Sequence, residues 1–324
     1  LMAEEIEFVP LTHELLCEKG CLSQIELAVA GGGFAFTRLD AANKGLTDLG
    51  NKVENYKELR HIVLSDNKLK DIKQVIQLPH LLTLKIERNE VDSLTCVEEA
   101  ELPWCQRLEM RENKLTSLPS LSPLPRLRFA NFAGNQIESL ANFGDHETLE
   151  VLELQENKLT SLQGLGLLGR LRQLTLSGNQ LASLEGLNVP QLVKLDLDKN
   201  ALTSMSHIEG APTCRELNIS GNQLPAGGED GSSPDLQRIG EELSNLQLLL
   251  FSENPLADGL GDNLRAEVLV HVPHLKKIED ADVNDEDREA AVARQEALVE
   301  MKAEFDRKAA EAAEAGEAGE GDAG

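Results

Sequence analysis

The chain has 324 residues, of which 56 are acidic and 31 basic, for a net charge of −25. A field of that sign repels nucleic acid and anionic membrane surfaces, so neither is expected as a partner and a basic patch on another protein is favoured. Hydrophobic residues make up 41% but aromatics only 3%, so leucine must carry most of the burial. No run of about 18 apolar residues exists, and no membrane span is expected. The opening Leu1-Met2-Ala3-Glu4-Glu5 is acidic and lacks the charge pattern of a signal peptide. Five cysteines, Cys17, Cys21, Cys96, Cys105 and Cys214, form no disulfide-like framework. They read as free thiols in a reducing, intracellular compartment, with Cys105 and Cys214 at inward positions.

In chain order, residues 1–33 read as a helical N-terminal cap. Thr12 is a good N-cap, Leu11 and Leu16 stand at staple positions, and Gly20 can end a helix over Thr12–Lys19. An apolar segment, Leu22–Ala30, follows, and then Gly31-Gly32-Gly33.

From 34 to 256 the pattern L-x-x-L-x-L-x-x-N-x-L recurs, as in Leu59, Ile62, Leu64, Asn67 and Leu69. Its asparagines are Asn67, Asn89, Asn113, Asn135, Asn157, Asn179, Asn200, Asn222 and Asn254, at spacings of 22, 24, 22, 22, 22, 21, 22 and 32. A weaker unit, Phe36, Leu39, Ala41, Lys44 and Leu46, precedes them, with lysine in the asparagine position. Such spacing predicts an α/β solenoid, a leucine-rich-repeat horseshoe with a parallel β-sheet on its concave side. Each L-x-L puts two leucines on the inner face of a short strand. The asparagine amide can then serve backbone groups of adjacent coils that would otherwise be buried unpaired. A coil of about 22 residues leaves room on the convex side for only short 3₁₀ or single-turn segments, as over Asp71–Leu78.

The 32-residue step holds Pro225–Pro234, rich in Gly, Ser and Pro, and reads as an inserted flexible loop. Residues 257–283, with Leu264-Arg265, Val268, Leu269, His271-Val272-Pro273-His274-Leu275 and Ile278, predict a capping helix and a last strand. Residues 284–315 predict one helix, with Asn284 as N-cap and Asp285, Glu286 and Asp287 at its positive end. Residues 316–324 read as a disordered tail. From Glu279 to Gly324 there are 16 acidic and 5 basic residues, so the acidity concentrates there.

The outward residues of the strands form a central row: Asp40, Val63, Lys85, Glu109, Asn131, Glu153, Thr175, Asp196, Asn218 and Leu250. On this face Phe129 and Val151 are adjacent apolar residues among polar ones, flanked by Arg107 and Arg111 and by Glu109 and Glu153. They are the candidate partner-binding residues, Phe129 as the anchor. On the C-terminal helix Leu298, Met301 and Phe305 fall on one side. They are expected to dock on a neighbouring subunit, and removing everything after Asp282 is expected to leave the solenoid folded. Leu248 and Leu250 form a second apolar spot, which the inserted loop could cover.

No catalytic, cofactor or metal site is expected, and no small-molecule ligand. His271 and His274 lack a third metal ligand nearby. Gly164–Gly169 lacks the Lys-Ser/Thr of a phosphate loop and fits a tight convex turn. Glu153, Asp196 and Asp198 share a face, but a shallow, water-filled sheet is not expected to raise carboxylate pKa values.

Pro10-Leu11-Thr12 with its helix, the 22-residue repeats, Asn254-Pro255 with Arg265, His271-Val272-Pro273-His274-Leu275 and the acidic helix Asp285–Arg307 occur in that order. Together they resemble the radial-spoke leucine-rich-repeat proteins of motile cilia, over roughly Val9 to Lys308. The resemblance implies a structural role in the axoneme, supporting motility. It places the chain in the cytoplasm, in the cytoskeleton of a cilium or flagellum, among other axonemal proteins in a large hetero-oligomeric complex. The Pro225–Pro234 insertion and the Ala/Gly/Glu tail depart from that pattern. The array alone is also similar to regulatory subunits of protein phosphatases, which usually lack the long C-terminal helix. An acidic nuclear chaperone would carry a longer, nearly pure Asp/Glu run.

Overall fold

A computed structural model describes residues 9–17, 20–29, 33–100, 102–228 and 233–320. The N-terminal segment comprises helix α1 (His13–Cys17) and an antiparallel hairpin of β1 (Leu22–Leu27) and β2 (Phe34–Asp40). Thr12 Oγ1 accepts from the Leu15 N–H at 3.2 Å, and Leu11 and Leu16 are buried, as an N-cap with its staple requires. The cap is therefore half helix and half hairpin, where the sequence suggested a helical one. The segment after Gly20 alternates, so Ile25 and Leu27 share one face of a strand.

Strands of three residues then recur: β3 (His61–Val63), β4 (Thr83–Lys85), β5 (Arg107–Glu109), β6 (Phe129–Asn131), β7 (Val151–Glu153), β8 (Gln173–Thr175), β9 (Lys194–Asp196) and β10 (Glu216–Asn218). Helix α2 (Pro234–Glu242), β11 (Leu248–Leu250), helices α3 (Pro255–Leu260) and α4 (Leu264–His271), and strands β12 (Lys277–Ile278) and β13 (Ala281–Asp282) complete the array. Among the described residues the strands form one 13-stranded sheet in chain order, parallel from β2 to β12 and antiparallel at both ends. The register Asp40–Val63–Lys85–Glu109–Asn131–Glu153–Thr175–Asp196–Asn218–Leu250 is the central concave row.

The core is a continuous leucine column behind the sheet. The asparagines line it. Asn157 Oδ1 accepts from the Ile137 N–H at 3.0 Å, while Nδ2 donates to the carbonyls of Phe132 and Leu154, both at 3.0 Å. Asn179 repeats this with Leu159, Leu154 and Leu176. Asn67 reaches back to the Lys44 and Leu46 N–H groups, so the lysine coil borrows the next coil's asparagine. Cys105 and Cys214 are buried in the column, and burial pushes each thiol up to about 12.

A regular strain accompanies the ladder. The residue before each asparagine has positive φ: Asp66, Arg88, Glu112, Gly134, Glu156, Gly178, Lys199, Gly221 and Glu253. This left-handed step turns the chain off the strand and points the next side chain inward. It also aims its own N–H at the following coil, as from Glu156 to the Ser177 carbonyl at 2.8 Å. Non-glycine residues pay about 1–2 kcal/mol for that conformation. Gly178→Ala should therefore lower the unfolding free energy by about 1 kcal/mol, read as a drop in the urea midpoint. Glu156→Gly should lower it less or raise it, because relieved strain opposes the added chain entropy.

The convex side carries short 3₁₀ segments, Val53–Asn55, Thr95–Glu99 and Ile208–Gly210, and hydrogen-bonded turns over 72–78. Neighbouring coils touch there: a Cβ on Gly166 would lie 2.3 Å from the Gly144 carbonyl carbon and one on Gly164 2.4 Å from the Leu140 carbonyl oxygen, so these two glycines serve packing, whereas Gly169 faces open space. Trp104 stays half-exposed beneath the Arg126 guanidinium, 4.1 Å from its ring centroid.

The 32-residue coil is not only loop. Its inserted residues feed α2, which buries Leu236 and Ile239 and packs against the Ile208–Gly210 turn and α4. Asp235 anchors it by accepting from the Met205 N–H at 2.7 Å. Residues 229–232 lie outside the described residues, so the suggestion that this loop covers Leu248 and Leu250 falls partly on them.

Helix α5 spans Asp285–Glu320. Residues 321–324 of the expected tail lie outside the described residues. The first turns of α5 do not leave the cap. Asp287 takes the Arg265 guanidinium in a two-pronged contact at 2.7 and 2.8 Å, and Arg288 donates to the Pro273 carbonyl. Ala291 is buried. Arg294 reaches Glu267, which is fully buried on α4, at 2.7 Å. Truncation after Asp282 would remove Arg294 from that carboxylate, so such a chain is expected to have a weakened cap. His271 sits 3.5 Å from the same carboxylate, and His274 Nε2 lies 3.2 Å from the Leu243 carbonyl oxygen. Both histidines are thus engaged within the cap.

Candidate partner-binding surface

Parallel register brings side chains from successive coils into contact. Arg107, Phe129 and Val151 are consecutive neighbours in one row, and Glu109, Asn131 and Glu153 in the next. The Arg107 guanidinium lies flat on the Phe129 ring, 3.7 Å from its centroid. Phe129 and Val151 are therefore half-buried, not the open apolar pair the sequence suggested: a cation covers the ring. Arg107 also donates to Glu109, which Lys85 approaches at 3.1 Å. Asn131 Nδ2 donates to Glu153 Oε2 at 2.6 Å. Arg111, just past its strand, pairs with Glu112 at 2.8 Å.

The carboxylates here do not behave as on an open sheet. Hydrogen bonding with Glu109, and then burial, push the Glu87 carboxyl up to about 6. Burial works to raise Glu109, but hydrogen bonds from Glu87, Arg107 and Lys85 outweigh it and hold it near about 2. The two carboxyls therefore titrate as a pair, Glu87 above the ordinary carboxyl range and Glu109 below it. Burial also raises Glu153 against the opposing charge of Arg107, and burial raises Asp198. For Glu153 and Asp198 the expectation of unraised carboxylates is thus corrected. Side chains one coil apart are close enough to exclude much of the water between them.

Glu87 is raised in the folded chain, so its contribution to stability is full below the ordinary carboxyl range and is lost as pH rises through about 6. Carbon-13 NMR of the carboxyls should show one glutamate titrating near pH 6, and Glu87→Gln should remove that transition alone. A Glu87 titrating below pH 5 would mean that the two carboxyls do not titrate as a pair.

Lys85, Glu87 and Asn131 belong to this cluster although sequence reasoning did not single them out. The signal was available, because they occupy rows in register with Glu109 and Glu153. Leu298, Met301 and Phe305 share the face of α5 that bears Ala291 and Arg294. Leu298 is half-buried, whereas Met301 and Phe305 are 40% and 42% exposed. The structure does not bring these three near the concave cluster. The pair Glu267–Arg294 had no signal in the sequence, since only the packing of α5 on α4 brings these two residues, 27 positions apart, together.

Among the described residues no group of His, Cys, Asp or Glu has the geometry to hold a metal ion, and no helix is long and apolar enough to cross a membrane. The arrangement places a stacked aromatic and several charges together on the concave face. The leucine-rich-repeat domain of APL1B has a similar solved structure, with a TM-score of 0.54 and 22% identity, covering 67% of this chain and 62% of that one. That likeness and the asparagine ladder decide the fold. The chain has the leucine-rich-repeat fold.

This leucine-rich-repeat protein is similar to human leucine-rich repeat-containing protein 23, at 30% identity over 144 residues, and to the same-named cattle protein at the same identity and length. The match takes in 44% of this chain but only 39% and 40% of those relatives. No protein-family model matches the chain.

Proposed function

We propose that this chain is a non-enzymatic, protein-binding structural subunit of the ciliary axoneme, a radial-spoke component that supports motility. One observation carries the reading of a subunit built into a larger assembly. Helix α5 is clamped to the cap through Asp287, Arg288 and Arg294, and then continues for several turns with Met301 and Phe305 uncovered. A solitary array has no use for an apolar stripe on a solvated, rigidly held helix. Leu298, Met301 and Phe305 are the anchors for a neighbouring axonemal protein. The order of N-terminal segment, repeats, cap and acidic helix, which resembles the radial-spoke family, supplies the location. The similarity to leucine-rich repeat-containing protein 23 supports it.

The concave cluster of Arg107, Glu109, Arg111, Phe129, Val151 and Glu153 is the second contact. Its stacked arginine and aromatic are residue types that dominate binding energy when a partner excludes water from them. Phe129→Ala should weaken that contact by about 2 kcal/mol, roughly 30-fold, without moving the thermal midpoint much. Titration of the variant against extracted spoke proteins checks this. The decisive experiment is fractionation of axonemes stripped by detergent and then by salt. The chain should remain after detergent and come off with spoke proteins at high salt. Release by detergent alone would remove the axonemal reading.

A further inference from the structure

Each coil enters its strand through a short ascending segment, and these segments stack as regularly as the strands do. From β4 on, the residue before each strand donates its N–H to the matching carbonyl of the previous coil, as from Glu150 to Arg128 and from Arg172 to Glu150, both at 2.8 Å. The chain has a net charge of −25, but this flank does not share it. The four residues before each strand from β3 to β12 hold eight basic and three acidic side chains. On the opposite flank, the five residues after each strand from β3 to β11 hold six basic and seven acidic.

The positive charge centres on two identical tripeptides, Arg126-Leu127-Arg128 and Arg170-Leu171-Arg172. Leu127 and Leu171 are fully buried in the leucine column, and the arginines on either side of them are exposed. Each buried leucine thus turns both its neighbours outward. The tripeptides stand two coils apart, about 10 Å along the solenoid. The coil between them contributes two carboxylates, Glu147 and Glu150, and Glu150 approaches Arg128 at 3.9 Å. Arg126, Arg170 and Arg172 form no ion pair among the described residues. Arg126 lies instead on the half-exposed Trp104 ring, which borders the strip.

We infer that this flank holds an extended acidic segment of another protein, its carboxylates taken by the forks of Arg126, Arg128, Arg170 and Arg172. Guanidinium groups bind carboxylates in two-pronged pairs. A single exposed pair contributes little, so the segment needs several carboxylates in series. In an extended chain of the polyproline type, every third side chain returns to the same side about 9 Å further on, close to the separation of alternate coils. A long nucleic acid fits less well. The strip ends within a few coils, and the field of the remaining chain repels a polyanion that outruns it. The inference goes beyond the axonemal reading and does not rest on it, since it uses neither the concave cluster nor α5.

The probe is a fluorescein-labelled peptide of about 12 residues, with glutamate at every third position and glycine, serine and proline between. Its anisotropy against the full chain at low salt should show saturable binding that weakens at least about 10-fold at about 0.5 M salt. Trp104 is the only tryptophan, and its emission should change over the same titration as Arg126 leaves the ring for a carboxylate. Arg128→Glu and Arg172→Glu should each weaken binding about 10-fold. Lys158→Glu, the same change of charge at an exposed site on the opposite flank, should leave it unaltered. All three side chains are exposed, so no core packing is lost, and matched thermal midpoints would verify it. A wild-type chain that does not bind the peptide overturns the inference. So does binding that survives both arginine substitutions together, an equal loss in Lys158→Glu, or binding with unchanged Trp104 emission. Equal affinity for a single-stranded RNA of matched charge would make the strip a general polyanion site. Self-association that is lost with these arginines would put the acidic α5 of another copy there. Either result also overturns it.

Discussion

Replacing Asn157 by alanine should cost the array about 3 kcal/mol, far more than the loss of one small polar side chain from a surface. Besides a longer contact to the Gln155 carbonyl at 3.3 Å, the amide has three close partners on two coils: the Ile137 N–H and the Phe132 and Leu154 carbonyls. All four residues are buried. Alanine fills none of those roles, and water has no route to the groups left behind, so each bears its desolvation penalty of about 1 kcal/mol or more. The loss should be local at first. Amides of the coils on either side of Asn157 should exchange faster while β3 and β10 keep their protection, because each coil contacts only its neighbours. Unchanged exchange at Ile137 would show that the backbone finds another partner for that N–H and that the asparagine is replaceable.

The second large effect lies in the cap. Arg294→Ala should destabilise the C-terminal coils by about 3 kcal/mol, since removing one partner of a buried ion pair leaves the other unpaired. Glu267 is fully buried, with Arg294 at 2.7 Å, His271 at 3.5 Å and Ser233 Oγ at 3.3 Å. Burial works to raise the Glu267 carboxyl, and the adjacent His271 together with the hydrogen bond and charge of Arg294 outweigh it, holding it below the ordinary range. A depressed folded value means that this contact stabilises above the unfolded carboxyl's range and is lost as pH falls below it. The end of α5 should thus detach in acid before the array unfolds. Glu267→Gln, which keeps the shape and removes the charge, should be milder than Arg294→Ala and should remove the acid step. A chain ending after Asp282 should be as unstable as Arg294→Ala, whereas one ending after Ala297 should match the full chain. Equal midpoints for both truncations would mean that α5 contributes nothing to the cap.

Much of the protein was legible before any coordinates. Nine asparagines at near-constant spacing, each a fixed distance after an L-x-L, specify the strand, its inner face and the neighbour it serves. The central concave row, Asp40 to Leu250, follows from that register alone. Thr12 as N-cap and Leu11 and Leu16 as its staple followed from local rules, because their partners lie within four residues. These features share a cause: the period of the chain is also the period of the structure, so sequence distance converts directly into spatial neighbourhood.

Where contacts do not repeat, that conversion fails. The sequence places Phe129 beside Arg107, but only the side-chain conformations decide that the guanidinium lies on the ring and that Glu87 and Glu109 titrate as a pair. Pro225–Pro234 reads as loop from its composition. The burial that orders α2 comes from Leu236 and Ile239 meeting α4, which lies some 30 residues further on. Leu22–Ala30 reads as an apolar stretch, and only its antiparallel partner shows that the apolar side faces outward. The sequence by itself therefore determined the solenoid, its asparagine ladder and the order of its concave surface, since those rest on contacts between equivalent positions of adjacent coils. Tertiary structure decided the burial of Glu267 against Arg294, the anchoring of α5 and the bare hairpin, because those depend on how the two unrepeated ends meet a coil they do not resemble.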